Sequence, residues 1–465
     1  MTAAVRRVCA QSAAGRGGAA LLSRELDVAV ASDGAVTAMW VQRTGLDSAI
    51  HARVFHRGSW GVDAPVYDAE PAFDIHVGAF AGGQAAVAFR YLGGAGTAAA
   101  VASCLGNGLL CTSRDVETGA SATSVAIATD GADQGVVAVV TLDGFQRDVR
   151  AGRIASSAGA LPAVDDLVAV TPSSVDPIVG LVASVGDGTA TLAWVTGSRT
   201  LAALAFPTTA VPNRIAPLVV DQQADPVIDR SLAIAGDGPD AVLAWTRDLP
   251  GPLSTVSSGG VAVGAVRAAA DAIGPARLRQ VPPALSVAPG SGRVVLAAAR
   301  GNRIVTRVRF ADEAKWRQRL LPVERGVTMT ALVGAADARG GAVLAWVATT
   351  RTEERLRFAR LAAAPEAARP RVTRRAVTAS VSSPIPGRAR LVGRYRVRGQ
   401  SVIGCRSAAV SLTANVPRNA RCVLTARARA DRAVRALRID IAVTVRPRTG
   451  RPISATTTVA VPRRR

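Results

Sequence analysis

The chain has 465 residues, 49% hydrophobic and 19% charged, which is too apolar for general disorder and long enough for two or three domains. No uncharged apolar run reaches the roughly 18 residues that a spanning helix needs, so no membrane span is expected. Only 4% of residues are aromatic, so the core must come from small aliphatic side chains, as in closely stacked strands.

The first 24 residues contain Arg6 and Arg7 but no following apolar run of signal-peptide length. The stretch VRRVCAQSAAGRGGAALLSREL reads like the tail of a repeat. Either it is a strand that closes a ring against the last repeat, or the chain starts further upstream, where an export signal would lie.

Residues 25–369 are repetitive. The segment DVAVASDGAVTAMWV reads as strand, Asp-Gly turn and strand, and related pieces recur as IHVGAFAGGQAAVAF, VGLVASVGDGTATLAW, LAIAGDGPDAVLAW and LVGAADARGGAVLAW. The last residues of the second strands are Trp40, Phe89, Val139, Trp194, Trp245, Ala298 and Trp346, at spacings of 49, 50, 55, 51, 53 and 48. Trp60 and Trp316 fall 18 to 20 residues beyond an anchor, so all six tryptophans obey the frame. Asp33-Gly34, Gly82-Gly83, Asp187-Gly188 and Asp237-Gly238 supply the positive-φ residues of tight hairpins. Second strands such as 36–40 and 241–245 are apolar on both faces, as a sheet packed between two others requires. Three or four strands per repeat, seven times over, predict a seven-bladed β-propeller, with a solenoid as the structural alternative.

The Ser32–Trp40 pattern resembles the repeats of bacterial secreted β-propeller proteins and, more distantly, the Asp-box hairpins of sialidase-like propellers. The spacing from the Asp-Gly turn to the tryptophan departs from the Asp box, so the resemblance carries over no catalytic residue.

Composition changes sharply at residue 370. From there on, 22 arginines face two acids, Asp431 and Asp440, a net +20, whereas residues 1–369 carry +2. This marks a second domain, 370–465. Alternation with period two predicts an immunoglobulin-like β-sandwich, so the whole chain reads as all-β. Arg388, Arg390, Arg394, Arg396 and Arg398 fall on one strand face, with Ala389, Leu391, Tyr395 and Val397 on the other. Such a stripe either binds a polyanion, such as a cell-wall polymer or acidic glycan, or is a solvated face in a lysine-poor protein. Tyr395 is the domain's only aromatic and is expected on the core face. With no platform for base stacking and no recognition motif, sequence-specific nucleic-acid binding is not expected.

Five cysteines occur. Cys104 with Cys111, and Cys405 with Cys422, form two plausible disulfides, leaving Cys9. Export or a cell-surface location fits this, and buried reduced thiols are the alternative. No C-x-x-C, phosphate loop or dinucleotide fingerprint occurs, so no metal or cofactor is expected. Asp33, Asp187 and Asp237 have the chemistry for calcium, but the turns alone explain them. His51, His56 and His76 are expected at the surface, and no repeat carries a distinctive acid cluster. The sequence therefore points to a non-catalytic binding or scaffold protein whose propeller face takes a ligand or protein partner. One alternative is a sialidase-like glycoside hydrolase, for which residues 1–369 offer only Tyr67 and Tyr91 as tyrosine nucleophiles. A WD-repeat-like intracellular platform is a further class, disfavoured by the cysteines and the absence of Trp-Asp repeat ends.

Overall fold

A computed structural model describes residues 21–463 with short interruptions, the longest at 277–283 and 310–316. Cys9, Trp316 and Arg398 therefore lie outside the described residues, as does the 1–20 part of the expected N-terminal segment. The chain divides into two compact units, with the boundary between Ala359 and Arg360.

Among the described residues, 21–361 form seven separate antiparallel sheets, most of them four-stranded and each ordered by sequence. The first begins with Leu21–Val30, which pairs with Val36–Thr44, so residues 21–24 belong to this sheet. The corresponding first strands are Ala72–Ala79, Ser121–Thr129, Ile178–Gly186, Ala233–Asp237, Ala284–Ala288 and Thr328–Ala336. Each lies beside the first strand of the next sheet, and Thr328–Ala336 lies beside Leu21–Val30. This is a β-propeller arrangement.

All seven anchor residues stand on the second strand of their sheet. The reason is burial from both sides. Residues 36–41, 85–89, 135–141, 190–195, 241–245 and 342–348 are buried without a break. An alternating strand with one wet face could not show this. Trp60 packs on Phe358 with ring centroids 4.4 Å apart, joining the first sheet to the last.

The Asp33-Gly34, Gly82-Gly83 and Asp187-Gly188 turns follow the expected chemistry, while Gly238 lies outside the described residues. Gly34 has φ 84° and Asp33 Oδ1 accepts from the Ala35 amide at 2.9 Å; Asp187 and Gly188 adopt φ 47° and 72°. Turns of different sheets also meet: the Ser32 amide donates to the Gly131 carbonyl at 2.7 Å, and Ala81 to Ala132 at 3.0 Å.

The basic unit differs from the expected sandwich in its pairing. Its eight strands form one continuous sheet, in which Glu366–Val372, running across the 369/370 boundary expected from composition, pairs with Ala376–Ser382. The two end strands, Glu366–Val372 and Ile453–Val461, also lie beside one another, so the sheet curls into a nearly closed barrel. It contains a helix, Ala426–Val434, where only strands were expected. The Ala-Arg run imitates strand alternation, yet both are strong helix formers, and Thr425 caps the helix by accepting from the Ala428 amide at 3.2 Å. Leu437, Ile439, Ile441, Val443 and Val445 fill the interior.

Candidate functional site

The strand Gly387–Val397 carries the arginine face. Arg388, Arg390, Arg394 and Arg396 are exposed, while Ala389, Leu391, Gly393 and Tyr395 are buried. Its neighbour Leu437–Arg446 places Arg446 opposite Arg388, Thr444 opposite Arg390 and Asp440 opposite Arg394. On the other side, Gln400–Ser407 sets Arg406 opposite Val392. Arg406, Arg438 and Arg446 are exposed and widen the face. Sequence reasoning missed these three, because cross-strand register decides their place.

The guanidinium groups of these seven arginines have no hydrogen-bond or ion-pair partner among the described residues. Asp440, opposite Arg394 in the strand register, accepts from Thr458 Oγ1 at 2.7 Å. Three arginines of the propeller are ion-paired: Arg90 with Asp74 at 2.9 Å, Arg150 with Glu117 at 2.5 Å and Arg247 with Asp221 at 2.7 Å.

The face rests on a braced interior. The disulfide Cys405–Cys422, with Cα atoms 5.3 Å apart, joins adjacent strands beneath it. The buried Tyr395 hydroxyl donates to Asp431 Oδ2 at 2.6 Å, tying the arginine strand to the helix. Burial and the Asp431 carboxylate push this phenol up to about 12. In the propeller, Cys104 and Cys111 are register partners and are bridged, with Cα atoms 4.1 Å apart.

Acidic and histidine side chains do converge in the propeller, contrary to the expectation of surface histidines and scattered acids. Glu25 and Asp27 of Leu21–Val30 meet Asp74 and His76 of the next sheet. Glu25 Oε2 accepts from the Asp74 amide at 2.5 Å and Asp27 Oδ2 from the Val77 amide at 2.7 Å. Arg90 Nε donates to Asp74 Oδ2 at 2.9 Å, and His76 Nε2 lies 3.8 Å from Asp74 Oδ1. Burial raises the Asp27 pKa against the pull of His76 and two amides. Burial alone would lower that of His76, but Asp74, Asp27 and Glu25 outweigh it and hold it raised. His51 is likewise engaged, 2.9 Å from Asp63 Oδ1 and stacked on Trp40. The side chain of His56 lies outside the described residues.

The two propeller tyrosines are both held above the ordinary phenol value. Tyr91 is buried and donates to Asp115 at 2.7 Å; desolvation and that carboxylate raise its pKa. Tyr67 is raised by burial and by Glu70, Asp115 and Asp68. Among the described residues, no group of three or more His, Cys, Asp or Glu side chains is placed to hold a metal ion, and no helix is long and apolar enough to cross a membrane.

No protein-family model matches the chain, and no curated protein sequence is similar to it. Similar folds occur among solved structures. AofleA from Arthrobotrys oligospora is 12% identical with a TM-score of 0.41, over 70% of this chain and 96% of its own. The polysaccharide lyase Uly1 is 9% identical with a TM-score of 0.47, over 76% and 92%. A NanB sialidase from Streptococcus pneumoniae is 8% identical with a TM-score of 0.45, over 77% and 70%.

Proposed function

We propose that this is an exported or cell-surface binding protein without catalysis, in which a seven-bladed propeller offers faces to a ligand or protein partner and the basic barrel attaches to anionic polymers. The observation that carries the reading is the row of exposed arginines on Gly387–Val397, none with an acidic partner. In a protein whose buried arginine Arg247 is paired and hydrogen-bonded, unpartnered guanidinium groups on one strand favour an external anion. The two disulfides support an oxidising compartment. Seven sheets and the Trp60–Phe358 contact support the blade count.

The test is retention of the full chain on an anionic resin against a variant with Arg388, Arg390, Arg394, Arg396 and Arg398 changed to serine. Wild type is expected to elute at distinctly higher salt. Elution of both at the same salt would reduce the stripe to a solvated face.

A further inference from the structure

The exterior of the barrel is not uniformly basic. Strands Gln400–Ser407, Gly387–Val397 and Leu437–Arg446, adjacent in the sheet, carry Arg406, then Arg388, Arg390, Arg394 and Arg396, then Arg438 and Arg446. The next strand, Ile453–Val461, presents Ser454, Thr456, Thr458 and Ala460 at its exposed or half-exposed positions, and Ala376–Ser382 presents Thr378 and Ser380. Arg418 and Arg421 on Arg418–Leu424 and Arg371 on Glu366–Val372 are exposed too, so it is the number of arginines on Gly387–Val397 and its two neighbours, not their absence elsewhere, that sets this side apart.

Within the arginine side, charge gathers at two ends. Arg388 lies directly opposite Arg446, with Arg390 two residues on. Like charges facing each other across an antiparallel pair are unfavourable, and an external anion relieves the repulsion. At the other end Arg394 and Arg396 share the strand, and Arg438 sits two residues from Asp440, which stands opposite Arg394 in the strand register without an ion pair. Between the ends the strand presents Val392, flanked by Ala442 on one side and Arg406 on the other. From Arg388 to Arg394 the strand advances roughly 20 Å. An exposed guanidinium holds one small anion weakly, because water and salt screen it. A chain that reaches both ends makes the second contact intramolecularly.

We infer that the barrel binds a linear polyanion as an extended chain laid along Gly387–Val397, engaging the Arg388/Arg390/Arg446 and Arg394/Arg396/Arg438 clusters together. This rests on the polyanion reading above and adds a minimum ligand length and a direction.

The experiment uses the full chain with tripolyphosphate and long-chain polyphosphate, titrated at several salt concentrations. One variant has Arg388, Arg390 and Arg446 changed to serine and another Arg394, Arg396 and Arg438. A charge-matched control has the exposed Arg427, Arg429 and Arg435, on or beside the helix, changed instead. Circular dichroism checks that each variant folds. The long chain is expected to bind wild type about 100-fold more tightly than tripolyphosphate. Either face variant should abolish that gap and roughly halve the salt slope, while the control keeps the gap. Equal losses in control and face variants would mean that net charge alone attracts the polymer, overturning the inference. Wild type that binds both lengths equally well would overturn it too, while leaving the polyanion reading intact. Absence of long-chain binding even at low salt would sink both.

Discussion

Asp27 Oδ2 accepts a hydrogen bond of 2.7 Å from the Val77 amide, reaching from the first strand of one sheet to the first strand of the next. An innermost strand is a sheet edge, and its inward amides have no ladder partner. Glu25 does the same for Asp74, and Ser124 Oγ accepts from the Leu181 amide at 3.3 Å between the third and fourth sheets. Side chains of one blade therefore complete the backbone of its neighbour. Asp27→Ala is expected to strand this amide and cost about 1–3 kcal/mol. Thermal unfolding measures it, and an unchanged midpoint would remove Asp27 from the clasp.

His76 gives the same contact a pH dependence. Its folded pKa lies above the usual 6.5, so the folded state binds the proton more tightly than the unfolded chain. The resulting stability is full below 6.5 and is lost as pH rises through the raised folded value. Asp27, also raised, contributes in the same direction at lower pH. Wild type is thus expected to gain stability relative to His76→Gln as pH falls from 8 towards 6.5. Parallel melting curves for the two proteins would show that His76 carries no linkage.

The clasp also marks the limit of what the sequence disclosed. Trp40 and its equivalents were legible because a strand buried on both faces leaves a continuous apolar run with one large residue at a fixed spacing. Arg388 to Arg396 were legible because strand alternation separates wet from dry. Asp27 and His76, 49 residues apart, have no local signature; only the packing of consecutive blades brings them together. Arg446 became a neighbour of Arg388 through register alone. The helix Ala426–Val434 was hidden because alanine and arginine alternate there with the period of a strand.

Gly393 and Cys405 test the interior beneath the arginine face. A Cβ at Gly393 would stand 2.6 Å from Cys405 Sγ and 2.7 Å from Ile439 Cγ2, both in the packed core. Gly393→Ala is expected to cost about 1–3 kcal/mol by overpacking. With both disulfides formed, thiol titration of the denatured, unreduced chain should find one thiol among five cysteines. A count of five would deny the bridges.

Asp221 belongs to the most deeply buried ion pair among the described residues. It accepts from Trp245 Nε1 at 2.9 Å and from Arg247 Nε and Nη2 at 3.0 and 2.7 Å. Arg247 is only 3% exposed and also donates to the Arg199 carbonyl. Removing the carboxylate leaves a buried cation and an indole N–H without their acceptor, so Asp221→Ala is expected to cost about 3–5 kcal/mol. Asp221→Asn keeps an acceptor and should cost less. Chemical denaturation followed by tryptophan fluorescence ranks the two, and equal stability of all three proteins would refute the argument.

The chain has three tyrosines, Tyr67, Tyr91 and Tyr395, and all three are held above the usual phenol value of 10. Burial is the first cause in each case, and carboxylates reinforce it: Glu70 beside Tyr67, Asp115 on Tyr91 and Asp431 on Tyr395. Ionising any of them places a second negative charge against an acid in a poorly solvated site. A raised folded value means that the stabilisation is complete below pH 10 and is lost above it, for Tyr395 as pH approaches about 12. Tyrosinate absorbance of the native protein should therefore show no step near pH 10 and should rise only with unfolding, whereas the chain in denaturant should titrate all three there. Tyr395→Phe removes one phenol from the late transition and leaves Asp431 without its donor, so its helix signal should be lost at lower temperature. A native tyrosinate step at pH 10 would show that at least one of these phenols is solvated, and its disappearance in a single variant would name which.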